Sequence, residues 1–470
     1  MAAGAEPESP VPGGAGDAGA VGVPGRRSTF IADLKAVLAE RDFRKLFATR
    51  LVSQTGDGII TAAVGTYVFF NASTFPSPTA GAAAFAVLYL PYSLIGPFAG
   101  VFIDRWSRRQ IMVWSALIRA AFVVVTAALM AGGNRGVALY VAVLAVLGVN
   151  RFFLSALSAA LPHVVPEGKL VMANSVSPTA GGIMSAIGGI VALGLNAGTG
   201  DTERGAAVTM LVGGGCYVAA SLVAATMGRY LLGPERASAR VRVLDELAVA
   251  AAGLLAGVRY VLRRRGPRAA LGATGAYSFL FGPLFLMSIL LYRNYFYPAH
   301  VTTAESHVGV LAAVSAVGYA CAAVVTPPAT RRISKQAWIT LLLIAAAVVA
   351  GLGGETFNQI AYLAIGFFMY LTRQGVAISA TTILQEQVED TYRGRVFAFY
   401  DMMYNATYVA GAAAFAAFMP VNGKAPAIVA VVAVGYLLAA AGYWLSSGRS
   451  PGAESAAARS PMEEAQRSSS

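Results

Sequence analysis

Four ionisable side chains, Asp57, Arg119, Arg151 and Arg373, stand inside long apolar runs of the chain. A charge in such a run costs about 2.5–3.5 kcal/mol or more unless it is paired or hydrated, so each needs a partner or a task. At a helical rise of about 1.5 Å per residue, Asp57 lies roughly 16 Å into its run, Arg119 about 12 Å and Arg151 roughly 14 Å. One acid facing guanidinium groups of matching depth supports two chemistries. Paired with Arg151 or Arg119, Asp57 either takes up and releases a proton, or forms a permanent ion pair that holds a bundle together. Arg373 has no acid in its own run, and Gln374 beside it offers hydrogen bonds only. It is expected to face a central cavity and attract an anionic group, or to pair with Asp401. Tyr277 and Tyr404 are aromatic candidates for lining that cavity.

The elements that hold these residues follow from composition. Of 470 residues 57% are hydrophobic and only 12% charged, about half the charge of a soluble domain. The apolar runs are roughly 18–25 residues long, enough for a helix to cross a hydrocarbon core of about 30 Å. The expected fold is an all-α membrane protein with twelve transmembrane helices, near 46–70, 80–103, 111–131, 137–160, 175–197, 206–228, 269–292, 305–326, 337–353, 358–383, 396–419 and 425–446. The interruption 229–268 divides them into two six-helix pseudo-symmetric bundles, 29–228 and 269–447, with disordered cytosolic tails at 1–28 and 448–470. The net charge of +12 does not point to nucleic acid, because the basic residues gather in alternate loops. That asymmetry places both termini in the cytoplasm of a plasma-membrane protein. Cys216 and Cys321 sit in apolar runs, and no phosphate loop, nucleophile elbow or metal-ligand spacing is present. No cofactor and no enzyme chemistry are expected.

Smaller signals refine this frame. Residues 29–44 read as an amphipathic helix on the membrane surface. Within the interruption, Asp245 to Arg265 places Leu247, Ala251, Leu254, Val258 and Val261 or Leu262 on one helical face, expected to lie on the inner leaflet or on the ends of the spans. Gly181, Ser185 and Gly189 form a small-residue stripe suited to close helix packing. Arg151 and Arg373 occupy similar places in the fourth and tenth spans, a weak internal repeat.

The ten residues GVFIDRWSRR, Gly100 to Arg109, form a charged turn between two apolar runs. This turn resembles the loop signature between spans 2 and 3 of the major facilitator superfamily, with Gly100, Asp104, Arg105, Arg108 and Arg109 on the matching positions. RDFRKLFATRLVSQTGDGI, LPHVVPEGKLVMANSV and RGRVFAF resemble the branch that contains the enterobactin exporter and macrolide efflux pumps. The resemblance implies a secondary transporter working by alternating access in the lipid bilayer; its oligomeric state is left open by the sequence, with a monomer favoured. Its partners would be protons and an exported small amphipathic substrate, such as a drug, macrolide-like compound or siderophore. An importer of a small metabolite, or a non-transporting sensor or assembly protein, is the alternative. It also implies an inner gate in which Asp104 faces the start of span 11, near Arg393 and Arg395. In the second half VVTPPATRRISK keeps Arg331 and Arg332 but has no acid, so the latch is one-sided. In span 4, Leu154 and Ser155 depart from the superfamily's arginine motif.

Overall fold

The computed structural model describes residues 35, 37–70, 77–94, 106–134, 136–166, 170–199, 203–228, 231–232 and 243–447. The expected tails, together with Gly100, Asp104 and Arg105, lie outside the described residues. The long elements are all helices. They run α1 Arg41–Phe69, α2 Pro78–Leu94, α3 Arg108–Ala131, α4 Val137–Ala160, α5 Leu170–Thr199, α6 Glu203–Ala225, α7 Val243–Leu262, α8 Arg265–Leu290, α9 Val301–Arg332, α10 Lys335–Val348, α11 Gln359–Gln387, α12 Asp390–Ala416 and α13 Pro426–Ser447. Among the described residues nine helices, α3–α6, α8–α11 and α13, are long and apolar enough to cross a membrane. The remaining long elements fall short for visible reasons. α2 has 17 residues, α1 and α12 carry several charges each, and α7 is the predicted interdomain helix.

Packing repeats with an offset of seven elements. α1 lies against α5 and α6 as α8 lies against α12 and α13, and the α2–α4, α3–α4 and α3–α6 contacts recur as α9–α11, α10–α11 and α10–α13. Arg151 and Arg373 each stand 14 residues beyond the first residue of their helix, Val137 and Gln359, so the weak repeat in the sequence coincides with a repeated position in space. Glycine makes the tightest of these contacts. A Cβ on Gly58 would collide with the Ser185 carbonyl and one on Gly188 with the Thr55 carbonyl, and in the second group Gly282 and Gly411 meet the carbonyls of Tyr408 and Phe279 in the same way. Without side chains at these points, the backbones of α1 and α5, and of α8 and α12, approach closely enough to make up for the missing hydrophobic drive between helices in lipid. In the predicted stripe Gly181 is the tight position, against the Gln54 side chain, and Gly188, beside the stripe, is the one that meets backbone. A Cβ on Gly189 would stand 3.9 Å from the Gly58 carbonyl oxygen, ordinary contact.

Two local expectations are corrected. The segment predicted as a surface helix over 29–44 is broken at Glu40, which has extended backbone, and Arg41 onwards belongs to α1. Val37 is fully buried against Phe43 and Leu46 in the first group's core, while Lys35, Ala39 and Arg44 are exposed, so the apolar side of the described part packs on the protein. The interdomain helix α7 docks on the start of α12 with only part of the predicted strip, Leu254 and Val258 being half-buried in it. Ala251 is exposed, while Gly257 and Val261 are buried. Gly253 and Gly257 open a groove that receives the Arg395 side chain, Tyr260 stacks on Tyr392 at 4.3 Å, and Arg264 reaches Glu389 at 2.5 Å. Gly257→Val should therefore expel Arg395 and release α7, seen as faster protease cleavage within 243–262 than in the parent protein. Unchanged cleavage would show that the groove does not hold the helix.

The groups α1–α6 and α8–α13 are joined unevenly along their length. At the end bearing Lys45, Arg108 and Lys335, here the basic end, the first group has a separate core around Phe43, Met112, Phe153 and Leu157. Toward the opposite, far end, one continuous core runs through both groups. Phe85 of α2 packs on Phe285 and Tyr408, Tyr89 packs on Tyr408, and the Thr66 hydroxyl of α1 donates to Glu305 of α9 at 2.8 Å. Among the described residues the buried core joins the two groups at the far end and is divided toward the basic end.

Candidate functional site

Asp57 is the hub of the first group. Arg119 of α3 forms an ion pair with its carboxylate, Tyr217 of α6 donates to Oδ1 at 2.8 Å, and Asn150 of α4 donates to Oδ2 at 3.3 Å. Arg119 is fully buried, donates also to Ser53 at 3.1 Å, and lies 3.6 Å from the Tyr217 ring centroid. The carboxylate therefore bridges α1, α3, α4 and α6, and of the two arginines weighed from the sequence Arg119 is its partner. Arg151 is not among the hydrogen-bonding partners of the Asp57 carboxylate. Its charge interacts with that of Asp401 on α12, across the gap between the groups. Asp401 is exposed and stands roughly 16 Å from the start of its helix by the rise per residue, close to the depth of Arg151.

A second buried arginine was not singled out from the sequence. Arg50 is 7% exposed; its Nε donates to Gln54 and its Nη1 to Ser177 of α5, each at 3.0 Å. Gln54 occupies the space left by the missing side chain of Gly181. Glu305, 8% exposed, was also missed; it joins the two groups at the far end.

Arg373 occupies the middle of α11. Three aromatic rings surround its guanidinium carbon, Phe281 and Tyr404 at 4.6 Å and Tyr408 at 5.0 Å. Cation–π contacts of this kind contribute about 0.5–2 kcal/mol each when shielded from water. Its Nε is buried without a hydrogen-bond partner, and Asp401 is not within ion-pairing distance. Tyr404 thus borders the arginine as expected, and Gln374 reaches Tyr319 on α9. Tyr277 does not line a cavity. It is 1% exposed, its hydroxyl donates to the Met369 carbonyl at 2.8 Å, and its ring packs on Tyr436. Its position in the amphipathic pattern turned it into the core of the second group.

At the basic end the described gate arginines Arg108, Arg109, Arg393 and Arg395 each have contacts within their own group. Arg108 donates to the Leu232 carbonyl at 2.9 Å and meets His163 at 3.0 Å, and Arg109 donates to the Ala225 carbonyl at 2.5 Å. With Lys45 on the Thr226 carbonyl at 3.1 Å, they place positive charge on the carboxyl end of α6, where the helix dipole favours it. Arg393 likewise donates to the carbonyls of Gln385 and Val388 at the end of α11, and Arg395 lies in the α7 groove. Among the described residues no group of three or more His, Cys, Asp or Glu could hold a metal ion.

Comparison with known proteins agrees with this architecture. No family model matches the chain. Uncharacterized MFS-type transporters of Mycobacterium bovis and Mycobacterium tuberculosis are each 33% identical over 399 residues, covering 84% of this chain and 89% of theirs. Among solved structures, the nucleoside transporter NupG aligns with a TM-score of 0.63 at 14% identity, covering 86% of this chain and 98% of that one. A bacterial homologue of the iron transporter ferroportin aligns at 0.63 in its inward-facing state, at 16% identity and covering 86% and 98%. In its outward-facing state the value is 0.56.

Proposed function

The chain belongs to the major facilitator superfamily of transporters, and from that premise we propose that it is a secondary active exporter of small amphipathic molecules, driven by proton entry. Twelve spans, including α1, α2 and α12, would form two six-helix bundles in the plasma membrane, with the basic end and both termini in the cytoplasm. The observation that carries this reading is the uneven joining of the two groups, closed at Thr66–Glu305 and the Phe85 and Tyr89 contacts and parted toward the basic end. That is one of the two states alternating access requires, with the space beside Arg373 and Asp401 offered to the cytoplasm. The likeness of several segments to the enterobactin and macrolide exporters supports the outward direction of transport.

Asp57 and Arg119 act as the tie of the first bundle, because all the hydrogen-bonding contacts of the carboxylate are internal to it. Proton coupling falls to Asp401, which is exposed and faces Arg151 across the gap. Each proton entering down the membrane potential supplies about 2.3 kcal/mol per 100 mV. Asp104, Arg105 and Gly100 remain the candidate inner latch that would close against the start of α12 in the opposite state. Arg108, Arg109, Arg393 and Arg395 would then be the rigid mounts on either side.

Two experiments test this. In a Cys216→Ser, Cys321→Ser background, a disulfide between Thr66→Cys and Glu305→Cys should stop flux in proteoliposomes and a reductant should restore it. Full flux through the cross-linked protein would rule out opening at the far end. Asp401→Asn should abolish uncoupler-sensitive accumulation while sparing downhill exchange, whereas accumulation at the parent rate would remove Asp401 from coupling.

A further inference from the structure

Building on the transporter reading, we propose that the Arg373 cage recognises a single carboxylate carried on a flat aromatic body. Arg373 stands 14 residues from both Gln359 and Gln387, the ends of α11, which puts it at the middle of the helix and near the bilayer midplane, where transporter substrates bind. The rings of Phe281, Tyr404 and Tyr408 stabilise its positive charge through their π faces. They offer no acceptor to its N–H groups. A guanidinium carries five such donors in a planar fork that matches a carboxylate. Here no carboxylate of the protein lies within ion-pairing distance, among the described residues, and Nε is buried without a partner. The anion that completes the site must therefore come from outside the chain.

The surroundings narrow its chemistry further. The phenols of Tyr370, Tyr404 and Tyr408 are close enough for charge on them to interact with Arg373, so O–H donors are at hand for a carboxylate. Beside the cage, and sharing Phe281 and Tyr370 with it, is a cavity of about 210 Å³ whose other walls include Leu311, Ser315 and Met369. Its largely apolar, aromatic lining suits a planar ring system rather than a sugar or a peptide backbone.

Binding distinguishes this assignment without reliance on transport. The full chain in phosphatidylcholine nanodiscs is titrated with 2-naphthoate, 2-naphthamide and 2-naphthylmethylammonium, three probes of one shape and different charge. Naphthoate should bind at least tenfold more tightly than the amide, and the cation most weakly. Arg373→Gln should bring naphthoate down to the level of the amide while leaving the amide unchanged, and Arg373→Lys should keep part of the preference. Equal affinities in the parent protein would overturn the proposal, and that comparison needs no variant to fold. A loss shared equally by naphthoate and amide in Arg373→Gln would also overturn it, marking the arginine as structural. Displacement of naphthoate in discs containing phosphatidylglycerol would reassign the site to an anionic lipid headgroup and overturn the soluble carboxylate. Selective binding without flux would instead count against the transporter reading and leave this one standing.

Discussion

Asp57→Ala is expected to lower the stability of the protein by about 3–5 kcal/mol, because it strands the guanidinium of Arg119 in the interior. Arg119 is fully buried, and Ser53, to which it also donates, is neutral. The readout is the thermal unfolding midpoint in detergent, together with the yield of monodisperse protein. Arg119→Met should be milder, since Asp57 keeps the Tyr217 and Asn150 donors and its side chain is 14% exposed. The double variant Asp57→Ala, Arg119→Met should recover most of what Asp57→Ala loses, as removal of a whole buried pair leaves no orphaned charge. Losses that simply add would show that the two residues are not coupled. A double variant that still accumulates substrate against a gradient would further confirm that the pair ties the bundle and does not carry the proton.

The second large effect belongs to the glycine contacts. Gly58→Val and Gly411→Val should each prevent proper assembly, because the added side chain meets backbone carbonyls, of Ser185 and Phe279, which cannot rotate away. Overpacking in cores usually costs about 1–3 kcal/mol, and backbone collision lies at the upper end or beyond it. Gly65→Ala and Gly442→Ala are the matched controls, with nothing within 4 Å of the new methyl group. They should leave the unfolding midpoint within the scatter of the parent. If the tight and open glycines respond alike, the close approach of α1 to α5 and of α8 to α12 is not what holds the bundles.

How much of this was legible in the sequence depended on whether the deciding partner was local. Asp57 and Arg119 could be matched because depth follows from residue count, and depth is what an ion pair between parallel or antiparallel spans must share. Arg50 was hidden by its neighbours Arg41, Arg44 and Lys45, which read as charges at a membrane entry. Its burial depends on Ser177 and on the space above Gly181, more than 120 residues away, although Gln54 one turn on was a local hint. Tyr277 and Tyr404 look alike in sequence, but which face of α8 or α12 points to the gap is decided by the glycines at 282 and 411. The α7 strip was read only in part for a related reason. A search for apolar residues passes over Gly253 and Gly257, whose contribution is the space they leave for Arg395.

The anchoring of α7 on α12 also sets a mechanical limit. The first group holds the chain as far as Leu232, which is fully buried in its core, and the second group takes it up again at Val243, where α7 begins. Between those two anchors run ten residues, 233–242. Fully extended, this leash spans roughly 40 Å at about 3.3–3.6 Å per residue. Rocking of the two groups is thus bounded by covalent length as well as by lipid and packing.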